Sequence, residues 1–472
     1  MSKTRVEKDS MGPVEVPADA LWGAQTQRAI DNFPVSGIRF PRYFIEALGR
    51  VKRACALVNK DLGKLDEKLA RAIADASQEV VEGKHDAQFP LDIFQTGSGT
   101  STNMNANEVI SNLAIERLGG ERGSKKPVHP NDHVNKGQSS NDVIPTVAHL
   151  SALLSLHRQL YPALDKLATS LEKKAKEFDG IVKNGRTHLM DAVPVRLGQE
   201  FGGYARQVRK GKEAIQAASD GVHELALGGT ATGTGMNAHP EFARRVISLL
   251  TKETGLPLAE AKDHFEAQGG RDDLAVLSGS LKALACGLIK IANDVRWMGS
   301  GPLGGFGEIM LPDLQPGSSI MPGKVNPVLC EVMTQVSAQV IGNDMAVTIG
   351  AQGGNFELNV MIPVMAHNVL SSTALLANAC TLFAGRCIDG LQANPERCEE
   401  LALKSLSLVT ALNPIIGYDK AAALAKEAFK KRVSVKQLAL DQKLITEEQA
   451  KKAFDLRRMT EPGEVEGGGA GG

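Results

Sequence analysis

The run Gly317-Ser318-Ser319-Ile320-Met321-Pro322-Gly323-Lys324-Val325-Asn326-Pro327 gathers two hydroxyls, an ammonium and a side-chain amide between glycines and prolines. Glycine and proline end regular structure and set turn geometry, so the segment reads as a loop that carries chemistry. Its groups suit a substrate that develops negative charge. The ammonium and the amide can hold an oxyanion, while a neighbouring serine can take a proton. The plainer alternative is a surface turn with incidental serines and a solvated lysine; the combination of groups favours chemistry.

Three further segments concentrate polar residues that a helical pattern does not explain. Gln95-Thr96-Gly97-Ser98-Gly99-Thr100-Ser101-Thr102-Asn103-Met104-Asn105 has glycines that let backbone amides approach a ligand, and hydroxyls that suit a carboxylate. It also reads as a glycine-rich turn before a helix capped by Thr102 or Asn103. The two readings agree, since a helix N-terminus is itself an anion site. No Gly-Lys-Ser/Thr follows, which argues against a phosphate loop. In the stretch from His129 to Asp142, Ser139, Ser140 and Asn141 are candidates to face a substrate. His129, Pro130, Asn131 and Asp132 form a turn with a weak anion affinity of its own. His129, Asp132 and His133 are metal ligands by type, but no second cluster with matching spacing accompanies them, so no metal site is expected. The last segment, Gly185-Arg186-Thr187-His188-Leu189-Met190-Asp191-Ala192-Val193-Pro194, places a histidine between a threonine and apolar residues. Such a histidine is usually structural. In this company His188 becomes a candidate acid–base group, histidine being the side chain that ordinarily changes charge near neutral pH.

Groups so scattered in sequence need elements to bring them together. The chain has 472 residues, more than one ordinary core accommodates, so two or three domains are expected. Lysine plus arginine equals aspartate plus glutamate at 54 each, so no global field favours nucleic acid or a membrane surface, and an anionic substrate must be met by locally placed cations. Aromatics are only 4% while Ala, Leu and Gly abound, which leans towards long, closely packed helices. The N-terminus lacks an apolar signal core, and no segment is expected to span a membrane. Cys55, Cys286, Cys330, Cys380, Cys387 and Cys398 follow no Cys-x-x-Cys spacing. They read as reduced, mostly buried thiols of a cytosolic protein, and argue against a cysteine-ligated iron–sulfur cluster.

Hydrophobic periodicity gives the architecture. Leu274, Leu277, Leu281, Leu284, Leu288, Ile291, Val295 and Met298 alternate in steps of three and four. A second seam runs Leu150, Leu153, His157, Leu160, Leu164, Leu167, Leu171, and a third Ile362, Met365, Val369, Ser372, Leu376, Ala379, Phe383. A fourth, Met333, Val336, Val340, Asn343, Val347, follows the Gly317–Pro327 loop directly. Several seams of this length predict a bundle of long, nearly parallel or antiparallel helices. His157 and Asn343 read as hydrogen-bonded core residues that fix register. The expected organisation is an N-terminal domain over 1–138, a central long-helix bundle over 139–395, and a small helical C-terminal domain over 396–460. A glycine-rich tail, 461–472, is expected to be disordered.

The Gly317–Pro327 run closely resembles the signature loop of the fumarase/aspartase superfamily, whose members eliminate a group from C2 of a succinyl skeleton to give fumarate. All four polar segments resemble those of class II fumarases, the metal-independent type, from about residue 5 to about residue 460. Thr187-His188 and His129-Pro130-Asn131-Asp132 are the discriminating words: aspartases are expected to carry glutamine in place of His188. The resemblance implies the all-α fumarase/aspartase (L-aspartase-like) fold with three domains. It implies substrate contacts from Ser98, Gly99, Thr100, Ser139, Ser140, Asn141, Thr187, Ser319, Lys324, Val325 and Asn326. It further implies a second, non-catalytic dicarboxylate site at His129, Pro130, Asn131 and Asp132. Lys126 departs from the arginine expected in some fumarases; charge is kept, but bidentate carboxylate geometry is not.

Reversible hydration of fumarate to (S)-malate is then the expected activity, in the tricarboxylic acid cycle of the cytoplasm and without a cofactor. Aspartate ammonia-lyase, or another succinyl lyase, is the alternative, since only the leaving group differs. A non-catalytic relative of the same fold would be expected to lack Ser318, Lys324 or His188, and all three are present. In malate dehydration Ser318 is the expected base at C3, His188 the acid at C2, and Glu331 the carboxylate that orients and charges His188. The resemblance also implies a homotetramer with each site assembled from different subunits, fumarate and malate as its small-molecule partners, and neither nucleic acid nor membrane. Activity is expected to survive prolonged chelation and exposure to air. Loss on chelation that iron or another divalent ion restores would refute the metal-free reading.

Overall fold

In the computed structural model, which describes residues 3–463, the apolar periods become helices. The described residues hold seventeen α-helices, and each sheet among them has only two strands. The all-α expectation holds. Internal contacts divide the chain into two units. One comprises the chain up to Pro162 with Gly211–Ala285 and Val336–Ala377. The other comprises Ala163–Lys210, Cys286–Gln335 and the chain from Asn378 on.

The first unit opens with an antiparallel hairpin of β1 (Thr4–Asp9) and β2 (Gly12–Pro17). Helices α1 (Ala24–Asn32), α2 (Arg42–Asp61), α3 (Glu67–Val81), α4 (Thr100–Arg117) and α5 (Ser140–Ser155) follow. Their starts are chemically specified. Asp66 caps α3 by accepting from Lys68 N and Leu69 N, with Glu67 in the first turn where it meets the positive end of the helix. The buried Glu108 of α4 caps α1 from outside, accepting from Gly23 N, Gln25 N, Thr26 N and Thr26 Oγ1. α2 packs on α3 and α5 through an apolar face that includes Phe44, Leu48, Val51 and Cys55, all with no exposed surface.

The chain then runs through α6 (Tyr161–Glu177), a hairpin of β3 (Val182–Thr187) and β4 (Met190–Arg196), and α7 (Leu197–Ala218). Next come α8 (Phe242–Thr254), α9 (His264–Gly269) and three long helices, α10 (Asp272–Met298), α11 (Val328–Ala351) and α12 (Ile362–Phe383). The α10 seam from Leu274 to Met298 is at most 4% exposed throughout. Each such leucine contributes about 2 kcal/mol by leaving water. The α12 seam is buried to the same degree. Asn343 of α11 is the hydrogen-bonded core residue expected: its Nδ2 donates to Ser372 Oγ of the α12 seam at 3.0 Å.

His157 departs from expectation. It is exposed, its ring edge-on to Tyr161. Between α5 and α6 the helix widens into a π turn over Leu156–Leu160, and the fully buried Leu156 takes the inward place. The wider turn changes the number of residues per turn locally, so the inward place falls one position before His157, and the seam resumes at Leu160 and Leu164. A second departure concerns apolarity. α10 is long and apolar enough to cross a membrane by length and composition, where the sequence was expected to hold no such segment. One face of it is the buried seam just described, while Val276 and Trp297 on the other side are exposed.

Helices from α13 (Pro395–Lys404) through α14 (Asn413–Ile416), α15 (Tyr418–Lys431), α16 (Val435–Asp441) and α17 (Glu447–Ala453) belong to the second unit. Leu412, Leu424, Leu438, Ile445 and Phe454 belong to one buried cluster there. Of the tail expected to be disordered, residues from 464 on lie outside the described residues. Glu461 accepts from Arg196 Nη1 at 3.0 Å. All six cysteines are free thiols, and only Cys286 is exposed.

Within α5, His149 is 3% exposed and its Nδ1–H donates to Glu224 O at 2.9 Å. Burial, reinforced by the Arg271 guanidinium, holds its pKa down at about 3, against 6.5 for a free histidine. The unfolded chain therefore binds this proton first, so stability present above pH 6.5 is lost as pH falls towards 3. One proton gives a slope of about 1.4 kcal/mol per pH unit in that window. Melting temperatures of the native chain should fall more steeply between pH 6.5 and 4 than those of His149→Gln. Parallel curves would show that His149 is not the titrating group.

Candidate functional site

In the first unit the structure brings three of the expected contacts into one hydroxyl chain. Ser98 Oγ lies 2.7 Å from Thr100 Oγ1, which lies 2.8 Å from Ser140 Oγ. Thr100 and Ser140 are the first residues of α4 and α5, so the N-termini of two long helices converge on these hydroxyls. That arrangement favours an anion twice, through oriented N–H groups and through the helix dipoles. Gly99 is the N-cap of α4 in left-handed conformation (φ 73°), where a Cβ would meet Ile144 Cγ2 at 2.6 Å. Gly97 has no room either, since a Cβ there would meet Val360 O at 1.7 Å. Thr102 and Asn103, expected as caps, lie inside the first turn. Gln95 and Thr96 do the capping, accepting from Thr102 N and Ser101 N.

Ser139 caps α5 in a reciprocal box with Asp142, whose Oδ1 accepts from Ser139 N at 2.9 Å. Asp142 Oδ2 accepts from Gly228 N and Thr230 N at 3.0 and 2.9 Å. The carboxyl has no exposed surface, and burial raises its pKa to about 6. These bonds draw in Gly228-Gly229-Thr230-Ala231-Thr232-Gly233-Thr234-Gly235-Met236-Asn237, which sequence reasoning missed. Asn141 Nδ2 donates to Ala231 O at 2.8 Å, and a cavity of about 300 Å³ lies among Ser139, Thr230, Thr232, Thr234 and Asn237. The available signal was the same glycine-plus-hydroxyl composition that marked residues 95–105.

The His129 turn closes on itself. His129 Nδ1 accepts from Asn131 N and Asp132 N at 3.2 Å each, while His129 N donates to His133 Nδ1 at 2.8 Å. Pro130 is buried; Asn131 and Asp132 are exposed. Among the described residues no three His, Cys, Asp or Glu side chains gather as metal ligands.

The second unit holds the other half of the expected residues. β3 and β4 pair with Thr187 opposite Met190, so His188 and Leu189 form a two-residue turn. Both have positive φ, 57° and 60°. Such turns ordinarily use Asn-Gly, because left-handed backbone crowds a Cβ. The strand beneath is anchored. Arg186 pairs both guanidinium nitrogens with the fully buried Glu308 at 2.9 Å, and its guanidinium lies 4.0 Å from the Phe306 ring. Lys183 Nζ stands between Glu200 and Glu308, at 2.9 and 3.3 Å. Thr187 and His188 project from this anchor into solvent.

The Gly317–Pro327 loop is pinched at its base. Gly317 N donates to Lys324 O at 2.7 Å, and Asn326 Nδ2 donates to Gly317 O at 2.8 Å. Within it, Ser318 Oγ accepts from Ile320 N and Met321 N at 3.3 and 3.1 Å. Ser319, Lys324 and Val325 are exposed, as is Ile320 at 83%. Glu331 lies in the first turn of α11. Among the described residues no hydrogen bond or ion pair joins Glu331 to His188. A larger depression of about 630 Å³ in the same unit, between α6 and α7 near Lys176, Arg206 and Arg209, contains none of the expected residues.

Comparison with known proteins follows the same lines. Residues 12–342 match the family described as Lyase, and residues 408–461 match Fumarase C C-terminus. A protein of Methylorubrum extorquens named Fumarate hydratase class II is 55% identical over 460 residues, covering 98% of each chain. Its namesake in Halobacterium salinarum is 53% identical, again over 98% of each. A class II fumarase from Schistosoma mansoni superposes with a TM-score of 0.93 at 40% identity, over 97% of this chain and 99% of that one. A Brucella melitensis protein described as a fumarate lyase:delta crystallin bound to cobalt gives 0.93 at 43%, over 98% and 100%.

The turn at His188 offers a test of its own. Leu189→Gly removes a left-handed Cβ and should stabilise the chain by about 0.5–1 kcal/mol. Leu189→Val puts a β-branched side chain in the same place and should cost at least as much. Melting temperatures of the two variants check the order; a stable valine variant would refute the strained turn.

Proposed function

Because the chain belongs to the class II fumarate hydratase family of lyases, we infer that it is a hydro-lyase that reversibly adds water to fumarate to give (S)-malate. The observation that carries the reaction is identity of 55% over essentially the whole of a relative so named. The chemistry sets the demands. Dehydration removes a weakly acidic proton from C3, beside a carboxylate, and expels hydroxide from C2. The carbanion survives only if its charge spreads onto that carboxylate as an enediolate, which needs donors in place beforehand.

Ser318 is the base. A free serine hydroxyl is far too weak an acid to serve, so its alkoxide must be stabilised. The N–H groups of Ile320 and Met321 already donate to Ser318 Oγ, which supports this role. Lys324 and Asn326, with Ser319, Val325 and the backbone between them, meet the carboxylate that becomes the enediolate. Thr100, Ser140, Asn141, Ser98, Gly99 and Ser139 hold substrate at the two helix N-termini. His188, beside Thr187, delivers the proton to the departing hydroxide, and Glu331 keeps the imidazole oriented and charged. In hydration the two groups exchange roles. No metal or redox cofactor takes part. The turn from His129 to Asp132 is a second dicarboxylate site outside the catalytic one.

The assembly is a homotetramer that shares its sites between subunits. Support comes from the outer faces of the long helices: Val276 and Trp297 of α10, Val332, Met345 and Ile349 of α11 and Leu382 of α12 are all 37% or more exposed. A second copy of the chain is the partner that such lines of apolar side chains fit. The enzyme works in the cytoplasm, in the tricarboxylic acid cycle, on a chain of three domains over 1–138, 139–395 and 396–460.

Ser318→Ala and His188→Asn should each lower kcat by about 10²–10⁴-fold, with far smaller changes in KM. Dissociating the two inactive proteins and reassembling them together should regenerate sites that carry neither lesion, and so return part of the activity. Verified hybrid tetramers as inactive as their parents would overturn the shared site. Full activity of either single variant would overturn its assigned role.

A further inference from the structure

Lys52 of α2 is among the largest side chains with no exposed surface. Its ammonium donates to Asn135 Oδ1 at 3.0 Å and to Gln138 Oε1 at 2.9 Å. Among the described residues no carboxylate forms an ion pair with it. Asp142, a residue of α5, acts only through space, and Cys55 is the other titratable neighbour. An ammonium in such a place is expensive. A side chain of similar length without charge, such as methionine, would fill the space without the cost of desolvating a cation. Stability alone therefore does not account for a lysine here.

Its partners point to another account. Asn135 Oδ1 also accepts from Asn103 Nδ2 of α4 at 3.2 Å, and Asn59, two turns along α2 from Lys52, donates through Nδ2 to Lys136 O at 2.9 Å. Asn135 Nδ2 donates to Gln138 O, which closes the turn that runs directly into Ser139. Lys52 thus ties α2, α4 and the 135–138 turn together, immediately below Ser139, Ser140 and Asn141. Two amide oxygens facing each other across such a turn would stay apart without a shared donor. An ammonium can donate to both at once, and neither methionine nor a single hydroxyl can.

We propose that Lys52 is a positioning residue for substrate binding: its buried ammonium holds Asn135 and Gln138, and through them sets where Ser139, Ser140 and Asn141 stand relative to Thr100. The proposal rests on the reading of those residues as substrate contacts. Lys52 touches no substrate, so its loss should loosen binding of substrate and transition state alike.

The test is Lys52→Met in the full enzyme, with Ser140→Ala alongside. Lys52→Met should raise KM for fumarate and for malate about tenfold while kcat changes less than about threefold. Amide hydrogen exchange should quicken over residues 135–142, with the melting temperature unchanged or higher. Gln138→Met, which removes one of the two acceptors, should raise KM in the same direction and serves if Lys52→Met does not fold. If Ser140→Ala raises KM but neither other variant does, Lys52 is only a core residue and the proposal is wrong. If Ser140→Ala also leaves KM unchanged, the substrate reading of these residues fails, and the proposal falls with it.

Discussion

A carboxylate taken out of water must be satisfied almost completely or it will not stay ionised, and this constraint organises the polar interior of the molecule. Asp142 meets it with three backbone N–H groups from two segments, Glu108 with three more and a hydroxyl, and Glu308 with a bidentate arginine and a lysine. Each of these side chains is at most 6% exposed. Each ties down a segment that no apolar seam could hold. Asp142 joins the start of α5 to the 228–237 loop, Glu108 fixes the start of α1, and Glu308 anchors the strand below His188. Helices supply the frame; buried carboxylates attach the loops to it.

That division explains which parts of the structure were legible in the sequence. The seam from Leu274 to Met298 could be read because burial along a helix obeys one period, and every member of it is buried. Asn343 could be read because a polar residue in a seam needs a partner, and Ser372 of the neighbouring seam is that partner. His157 could not. A π turn changes the period for a single turn and leaves no mark in residue type. Loops obey no period at all. The segment from Gly228 to Asn237 lies beside Ser139 because Asp142 accepts from two of its N–H groups, and backbone donors are the same in every residue. The β3–β4 hairpin was invisible for a related reason: its central residues, His188 and Leu189, are poor choices for a left-handed turn.

The candidate site shows the same pattern at the level of chemistry. Residue types singled out the candidate groups, since a dicarboxylate needs hydroxyls, amides and cations in quantity. Residue types alone did not show how the hydroxyls would be arranged. Ser98, Thr100 and Ser140 form a chain of hydrogen bonds because two helices begin at the same place. Ser318 accepts from two backbone amides inside a loop whose base is pinched by Gly317, Lys324 and Asn326. In both cases the helix end or the turn supplies donors already in place, which is what the proposed mechanism requires where charge develops.

Strain at His188 and Leu189 then bears on specificity. The carbanion half of the reaction is the same whether hydroxide or ammonia leaves, so a loop that stabilises the carbanion can be common to enzymes with different leaving groups. The proton given to the leaving group differs between them, and in the proposed mechanism it comes from His188. A hydroxide leaving from C2 needs an acid; ammonia, which can leave already protonated, does not. On that mechanism, the residue that answers to the leaving group sits at a tight turn that projects from the Glu308 anchor. It can be exchanged without disturbing helix, seam or loop. The unfavourable φ at that turn is a local cost of about 1–2 kcal/mol per residue. The anchored strand over-determines the hairpin enough to bear it, which is the condition under which strained backbone persists at functional sites.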